Sequence, residues 1–166
     1  PATVCGYAPR LRLDLSVNIL SNHAINKNKI TVFGGDQLRP NLHIQDYCDL
    51  VCLLITAKAE KIKNQIFNVG YQNLSINDLA LIVKKVVESE FPKKGKIEIE
   101  KTTSDDNRSY HINSDKINEL LGFKPKYTIE DAVKGLCDNF KNEKIKDSFN
   151  DDFYFNVKRL KRLQVK

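Results

Sequence analysis

The sequence predicts an α/β fold, on three observations. Strand-like and helix-like segments alternate along the chain as strand, turn and helix, the order that packs helices onto a sheet. Ile76 to Phe91 carries Leu79, Ile82, Val83, Val86 and Val87 at helical spacing, a core-facing stripe. Lys96 to Lys101, KIEIEK, alternates apolar and charged residues, as a strand with one wet face does.

Taken in order, Pro1 to Gly6 reads as a strand with no turn or cap before it, an interior strand of a parallel sheet whose neighbours come from elsewhere. Asp14 to Asn26 has Leu15, Ile19, Leu20 and Ala24 near helical spacing and predicts the first helix. Ile30, Val32 and Phe33 then predict a short strand, broken by Gly34-Gly35-Asp36. Arg39, followed by Pro40, reads as lying on a stiff turn, with Leu42 and Ile44 around His43 and Asp46 placed to cap a helix from near Tyr47. Tyr47 to Ala59 is apolar on one side through Leu50, Val51, Leu54 and Ile55, a helix expected to pack on the sheet.

Ile66 to Val69 reads as a short buried strand ended by Gly70. Ser75 is placed to cap Ile76 to Phe91, and Pro92 stops that helix. After KIEIEK comes a polar loop, Thr102 to Arg108, containing Asp105 and Asp106, and Tyr110 to Ile112 reads as one more short strand. Ser114 is placed to cap Asp115 to Leu121, which Gly122 terminates in a left-handed conformation, and Thr128 to cap Ile129 to Phe140. Beyond Lys141 the chain is charged, with Phe149, Phe153, Tyr154 and Phe155 expected to latch the tail onto the body.

A chain of 166 residues supports one domain with a real core. Its 41% hydrophobic and 29% charged content is ordinary for a globular protein. No apolar run approaches the ~18 residues of a membrane span, and no basic leader opens the sequence, so a cytoplasmic location is expected. Of the net charge of +6, Lys158, Arg159, Lys161, Arg162 and Lys166 supply +5, which leaves +1 for the rest. A tail of that kind reads as solvated, and the body lacks an aromatic-basic surface motif, so neither a specific nucleic acid nor a membrane is expected as partner. Cys5, Cys48, Cys52 and Cys137 form no C-x-x-C pair and read as buried, reduced thiols, with no metal site.

Arginine is scarce, six among 27 basic residues, so Arg39 inside an apolar, turn-bound segment draws notice. A guanidinium held there suits an anion gripped through paired hydrogen bonds. A surface or structural ion pair is the other reading, and spacing alone leaves both open.

Four stretches in order resemble the extended short-chain dehydrogenase/reductases, the nucleotide-sugar epimerases and dehydratases. KITVFGGDQLRPNLHIQD, Lys29 to Asp46, is similar to the family's base-binding strand and the arginine and apolar-His-apolar-x-Asp run after it. PATVCGYAPRLR, from Pro1, is similar to the strand that ends the dinucleotide-binding sheet and the substrate loop that follows. QIFNVGYQN, from Gln65, is similar to the late strand and glycine turn, and RSYHINSDKINELLGFKP, from Arg108, to the closing strand, Ser-x-Lys-Ile helix and Leu-Gly-Phe-x-Pro turn. The resemblance implies the C-terminal part of such an enzyme: the last strands of a Rossmann-like sheet plus the smaller α/β substrate domain, an incomplete Rossmann domain. Residues 1–148 would form the substrate-binding portion and 149–166 an aromatic and basic tail.

The sequence contains no G-x-x-G-x-x-G turn and no Tyr-x-x-x-Lys pair ahead of Pro1; Tyr154 and Lys158 have that spacing by coincidence, inside the tail. No catalytic residue is therefore expected here. NAD(P) would be bound mainly by a missing N-terminal Rossmann half, and this portion alone would be inactive.

In what the resemblance implies, Arg39 holds the diphosphate of a nucleoside diphosphate sugar, and Thr31 and Phe33 lie along the base, largely through backbone groups. Thr3 stands where many relatives carry an Asn that touches the sugar nucleotide. Asn73 and Arg108 match positions that reach the diphosphate or ribose in some relatives; a turn Asn and an ion pair with Asp105 or Asp106 are the plain structural alternatives. Pro1 falls beside the nicotinamide. His43 and Asp46 fit the pattern, yet a half-buried imidazole and a helix cap explain them without substrate. A homodimer of the full-length enzyme is the assembly the family suggests. Two other readings are a non-catalytic nucleotide or nucleotide-sugar binding module, and a basic-tailed adaptor.

Overall fold

The computed structural model describes residues 1–104 and 108–164. In chain order the elements are β1 (Thr3–Cys5), α1 (Ser16–Lys27), β2 (Lys29–Phe33), β3 (Leu38–His43), α2 (Ile44–Thr56), α3 (Ala59–Ile62), β4 (Gln72–Ser75), α4 (Ile76–Glu90), β5 (Glu98–Thr102), α5 (Asp115–Leu121), α6 (Ile129–Lys141) and α7 (Asn156–Arg162). The strands form two small sheets. In one, β3 lies between β1, which runs parallel to it, and β4, which runs antiparallel; in the other, β2 and β5 pair in parallel. An α/β fold is what the alternating periodicities predict.

The main core lies where α1, α4 and α6 meet β2. Val17, Ala24, Ile30, Val32, Leu79, Val83 and Val133 are all 0% exposed there, each contributing about 1.5–3 kcal/mol of burial where the side chain is Val, Leu or Ile. Caps fix the helix starts as the sequence predicts. The Ser75 hydroxyl accepts from the Asp78 amide, and Thr128 and Asp131 form a reciprocal capping box. Gly122 closes α5 at φ 70°. Tyr154 is buried with Leu11, Leu13, Leu136 and Ile145, and its carbonyl accepts from the Leu13 amide at 3.0 Å, so the aromatic cluster does latch the tail to the body.

Several local readings change. Arg39 and Pro40 lie within strand β3, not on a turn. The strand tolerates Pro40 because Gln37 and Asn41 turn their carbonyls toward the β4 side, where Ile76 and Tyr71 donate to them. The missing N–H of Pro40 therefore points the other way, where β1 pairs only from Asn41 onward. α2 begins at Ile44, and its N-cap is His43, whose Nδ1 accepts from the Gln45 amide at 3.0 Å.

Ile66 to Val69 forms no strand. Ile66 is 82% exposed, while Val69 stays buried and its carbonyl accepts from the Ala2 amide at 2.6 Å. The strand comes later, at β4, because its partner is β3. Tyr110 to Ile112 likewise forms no strand, though it runs beside β3 and the Tyr110 amide reaches the Leu38 carbonyl at 3.5 Å. Ser114 sits at the N-cap of α5, but its hydroxyl donates to the Gly70 carbonyl and accepts from the Gly70 amide, both at 2.9 Å, and makes no cap bond.

Two of the four cysteines also depart from expectation. Cys5 and Cys137 are buried, and burial pushes each thiol up to about 12. Cys48 and Cys52 are exposed, because the apolar stripe of α2 is wider than the surface it covers: Leu50 packs inward while Val51 and Ile55 remain 39% and 78% exposed. A thiol titration with Ellman's reagent is therefore expected to give two fast equivalents and two that appear only on unfolding. A single fast class of four would contradict this placement.

Candidate functional site

The register of β2 decides which groups it presents. The Glu98 amide donates to the Asn28 carbonyl at 3.2 Å and the Gly34 amide to the Thr102 carbonyl at 2.8 Å, so the even-numbered residues between them use their backbone groups on β5. Thr31 and Phe33 consequently turn their backbone groups to the edge that no strand covers among the described residues. Ile30 and Val32 point into the core, and Phe33, 57% exposed, stands at the end of the strand.

The turn after Phe33 is held from two sides. The Gln37 carboxamide accepts from the Gly35 amide at 2.6 Å and donates to the Phe33 carbonyl at 2.8 Å. On the other side the Asn77 amide, in the first turn of α4, donates to the Gly35 carbonyl at 2.9 Å. Gly35 has φ +127°, and a Cβ there would come within 2.4 Å of the Asn77 side chain, so only glycine fits.

From this turn the chain enters β3 and delivers Arg39 to the same place. Its Nη1 donates to the carbonyls of Leu38, at 3.0 Å, and Arg108, and its guanidinium lies 5.5 Å from the Tyr110 ring. Thr31, Phe33 and Arg39 thus line one cleft of about 330 Å³. To the same cleft α1 contributes Ser16, Ile19, Leu20 and His23, and Asp14, Gln37, Ile76 and Ser104 complete the lining. Burial, and then nearby Lys27, hold the His23 imidazole below its ordinary value, and its ring rests 5.7 Å from that of Phe149. Asp14 is tied to Arg12 at 2.9 Å and accepts from the Asn156 amide at 3.1 Å.

The remaining sequence-predicted residues lie elsewhere. Thr3 lines a second cleft of about 350 Å³ with Gly6, Arg10, Arg12, Asn18 and Tyr47. Asn73 pairs in register with Pro40, but its carboxamide is engaged: Oδ1 accepts from the Ile112 amide at 2.8 Å and Nδ2 donates to the Ile112 carbonyl at 3.1 Å. Arg108 meets Arg39 through its own carbonyl, and the predicted partners Asp105 and Asp106 lie outside the described residues. Pro1 is exposed, two residues before β1 begins.

Asp46 is not a cap. It is 1% exposed in the first turn of α2, and its two carboxylate oxygens accept from the Lys126 and Tyr127 amides at 2.9 and 3.0 Å. His43 stacks on Tyr127 with ring centroids 4.9 Å apart. The sequence marks Ile19 and Leu20 only as apolar helix positions and predicts no cleft role for them or for Ser16 and His23, although the i, i+3, i+4, i+7 spacing of the four on a predicted helix is a usable signal. Gln37 and Tyr110 carried no such pattern.

Burial holds the His43 imidazole below its ordinary 6.5, with Asp46 and Asp131 opposing the shift. The folded form thus resists protonation more than the unfolded chain does. Its contribution is intact above pH ~6.5 and is lost as the pH falls from there through the lower folded value. Denaturant titrations at stepped pH are expected to show stability declining over that interval, with a shallower decline in His43→Asn, which keeps a capping oxygen but cannot titrate. Equal slopes would contradict the role given to His43.

Residues 2–70 match the family described as "NAD dependent epimerase/dehydratase family". The dTDP-glucose 4,6-dehydratase of Shigella flexneri is 27% identical over 134 residues, which cover 77% of this chain and 36% of that protein. The chain thus spans about a third of the length of the curated relatives it matches. Among solved structures, Pal from Bacillus thuringiensis superposes with a TM-score of 0.68 at 23% identity, covering 86% of this chain and 44% of the other. UDP-glucuronic acid 4-epimerase from Bacillus cereus, solved with UDP-glucuronic acid and NAD, gives a TM-score of 0.68 at 22% identity with the same coverage. These likenesses establish the fold of the extended short-chain dehydrogenase/reductases.

Proposed function

We propose that this chain, which belongs to the NAD-dependent epimerase/dehydratase family, supplies the nucleotide-sugar binding portion of such an enzyme. Its homologues are NAD-dependent nucleotide-sugar epimerases and dehydratases. The observation that carries the reading is the convergence of Thr31, Phe33 and Arg39 on one cleft. The base lies along the uncovered edge of β2, against backbone groups of Thr31 and Phe33. Because the Phe33 carbonyl already accepts from Gln37, the Phe33 amide and the backbone groups of Thr31 are left for the base. Arg39 receives the diphosphate, where a planar guanidinium makes paired, charge-assisted hydrogen bonds.

Asn73 and Arg108 act by holding the segment from Arg108 to Ile112 beside β3, which steadies Arg39. Thr3 faces the sugar from the neighbouring cleft, and Pro1 lies toward the nicotinamide.

Hydride transfer in this chemistry would be supplied by NAD(P). The residues of this chain do not fit its pyrophosphate: Gly34 and Gly35 lead into strand β3 and are pinned by Gln37 and Asn77, so they form no cradle at a helix N-terminus. The cofactor therefore binds mainly on a dinucleotide-binding half, and this chain alone binds substrate without turning it over.

Calorimetry with UDP-glucose, UDP-glucuronic acid, dTDP-glucose, the free sugars and their 1-phosphates tests the reading. Binding is expected for the nucleoside diphosphate sugars and their nucleoside diphosphates, and none for the sugars alone. Absence of binding by every nucleoside diphosphate would overturn it.

A further inference from the structure

The last helix buries neither of its sides against the body: none of its residues is buried. At about 100° per residue Val157, Leu160 and Leu163 share one side of the α7 segment, and Lys158, Arg159, Lys161 and Arg162 share the other. A surface helix ordinarily turns its apolar side inward. Here the contacts of the helix's own basic residues are with the turn just before it: the Arg159 guanidinium lies 4.9 Å from the Phe153 ring, the Lys158 ammonium 4.4 Å from the Phe155 ring, and Arg162, its side chain still 64% exposed, pairs with Asp152 at 2.7 Å. Those anchors are rigid, because Tyr154 between the two phenylalanines is buried and bonded to Leu13. The aliphatic side is left facing outward, with Val157, Leu160 and Leu163 64%, 49% and 54% exposed.

We infer that this face binds an anionic membrane surface, the aliphatic side chains entering the headgroup boundary and the lysines meeting lipid phosphates and carboxylates. Charge complementarity favours that occupant, since five of the last nine residues are basic and none is acidic. A second copy would bring one basic tail against another. Nucleic acid would satisfy the lysines but offers nothing to three outward aliphatics. A protein groove would need about 800 Å² per partner, far more than a seven-residue helix presents.

The contact is peripheral, because no helix among the described residues is long and apolar enough to cross a bilayer. It departs from the solvated tail with no membrane partner that charge alone predicts. The inference stands apart from the nucleotide-sugar reading and uses none of its residues.

Flotation of the full chain with phosphatidylcholine vesicles, with and without one-third phosphatidylserine, tests it. Binding is expected only to the anionic vesicles and is expected to fall as salt rises. Lys158→Glu with Lys161→Glu should weaken partition at least about tenfold. Val157→Asp with Leu160→Asp should weaken it by a similar factor, about tenfold, with an unchanged circular dichroism spectrum. Failure to float with anionic vesicles at low salt, equal flotation of the aspartate variant, or an RNA affinity exceeding that for vesicles and surviving the aspartate changes would each overturn it.

Discussion

Arg39→Ala is expected to weaken nucleoside diphosphate sugar binding by about 2–4 kcal/mol, a factor of roughly 30 to 1,000 in Kd. The size follows from removing a charge-assisted, two-pronged contact at a site that already orders the guanidinium. In the protein its Nη1 is held by the carbonyls of Leu38 and Arg108, and Tyr110 packs against it. Those contacts are partly exposed, so losing them should cost the fold only about 1 kcal/mol. Arg39→Lys restores the charge without the planar fork and should recover only part of the affinity. Calorimetry with a nucleoside diphosphate sugar reads the difference, and unchanged affinity in Arg39→Ala would remove Arg39 from the site.

The second large effect is on stability. Asp46→Ala should cost about 3 kcal/mol, because the buried carboxylate is lost together with two charge-assisted, part-buried hydrogen bonds from the Lys126 and Tyr127 amides. That carboxylate ties α2 to the Lys126–Tyr127 segment leading into α6, so the loss should appear in global unfolding. For a chain of this size it corresponds to a fall in Tm of about 6–12 °C. Asp46→Asn keeps the volume and one acceptor oxygen and should recover part of the loss. A change below about 1 kcal/mol in Asp46→Ala would show that water replaces the carboxylate without penalty.

What the sequence made legible is what short-range chemistry decides. Ser75 and Thr128 cap their helices because the hydroxyl and the amide it serves lie three residues apart. The stripe from Leu79 to Val87 finds the core for the same reason: its period is a property of the helix itself. Pro40 misled because a proline usually marks a turn, whereas its tolerance inside β3 depends on where β1 and β4 begin. Asp46 misled in the same way, since its donors lie 80 and 81 residues away.

In the candidate site, the family resemblance of one continuous stretch singles out Arg39, Thr31 and Phe33, and the fold brings the three to one cleft. Their neighbours Ser16 and His23 come from α1, and Gln37 acts by closing a turn whose shape Gly35 sets. The exposure of α7 depends on Phe153 and Phe155 packing on the body just before it, which no local pattern encodes.

A structure of the chain bound to a nucleoside diphosphate sugar tests the central claim most directly. Diphosphate oxygens should lie within hydrogen-bond distance, about 2.7–3.2 Å, of the Arg39 guanidinium, with the base along Thr31 and Phe33. A ligand whose diphosphate settles in the Thr3 cleft, leaving Arg39 untouched, would contradict it.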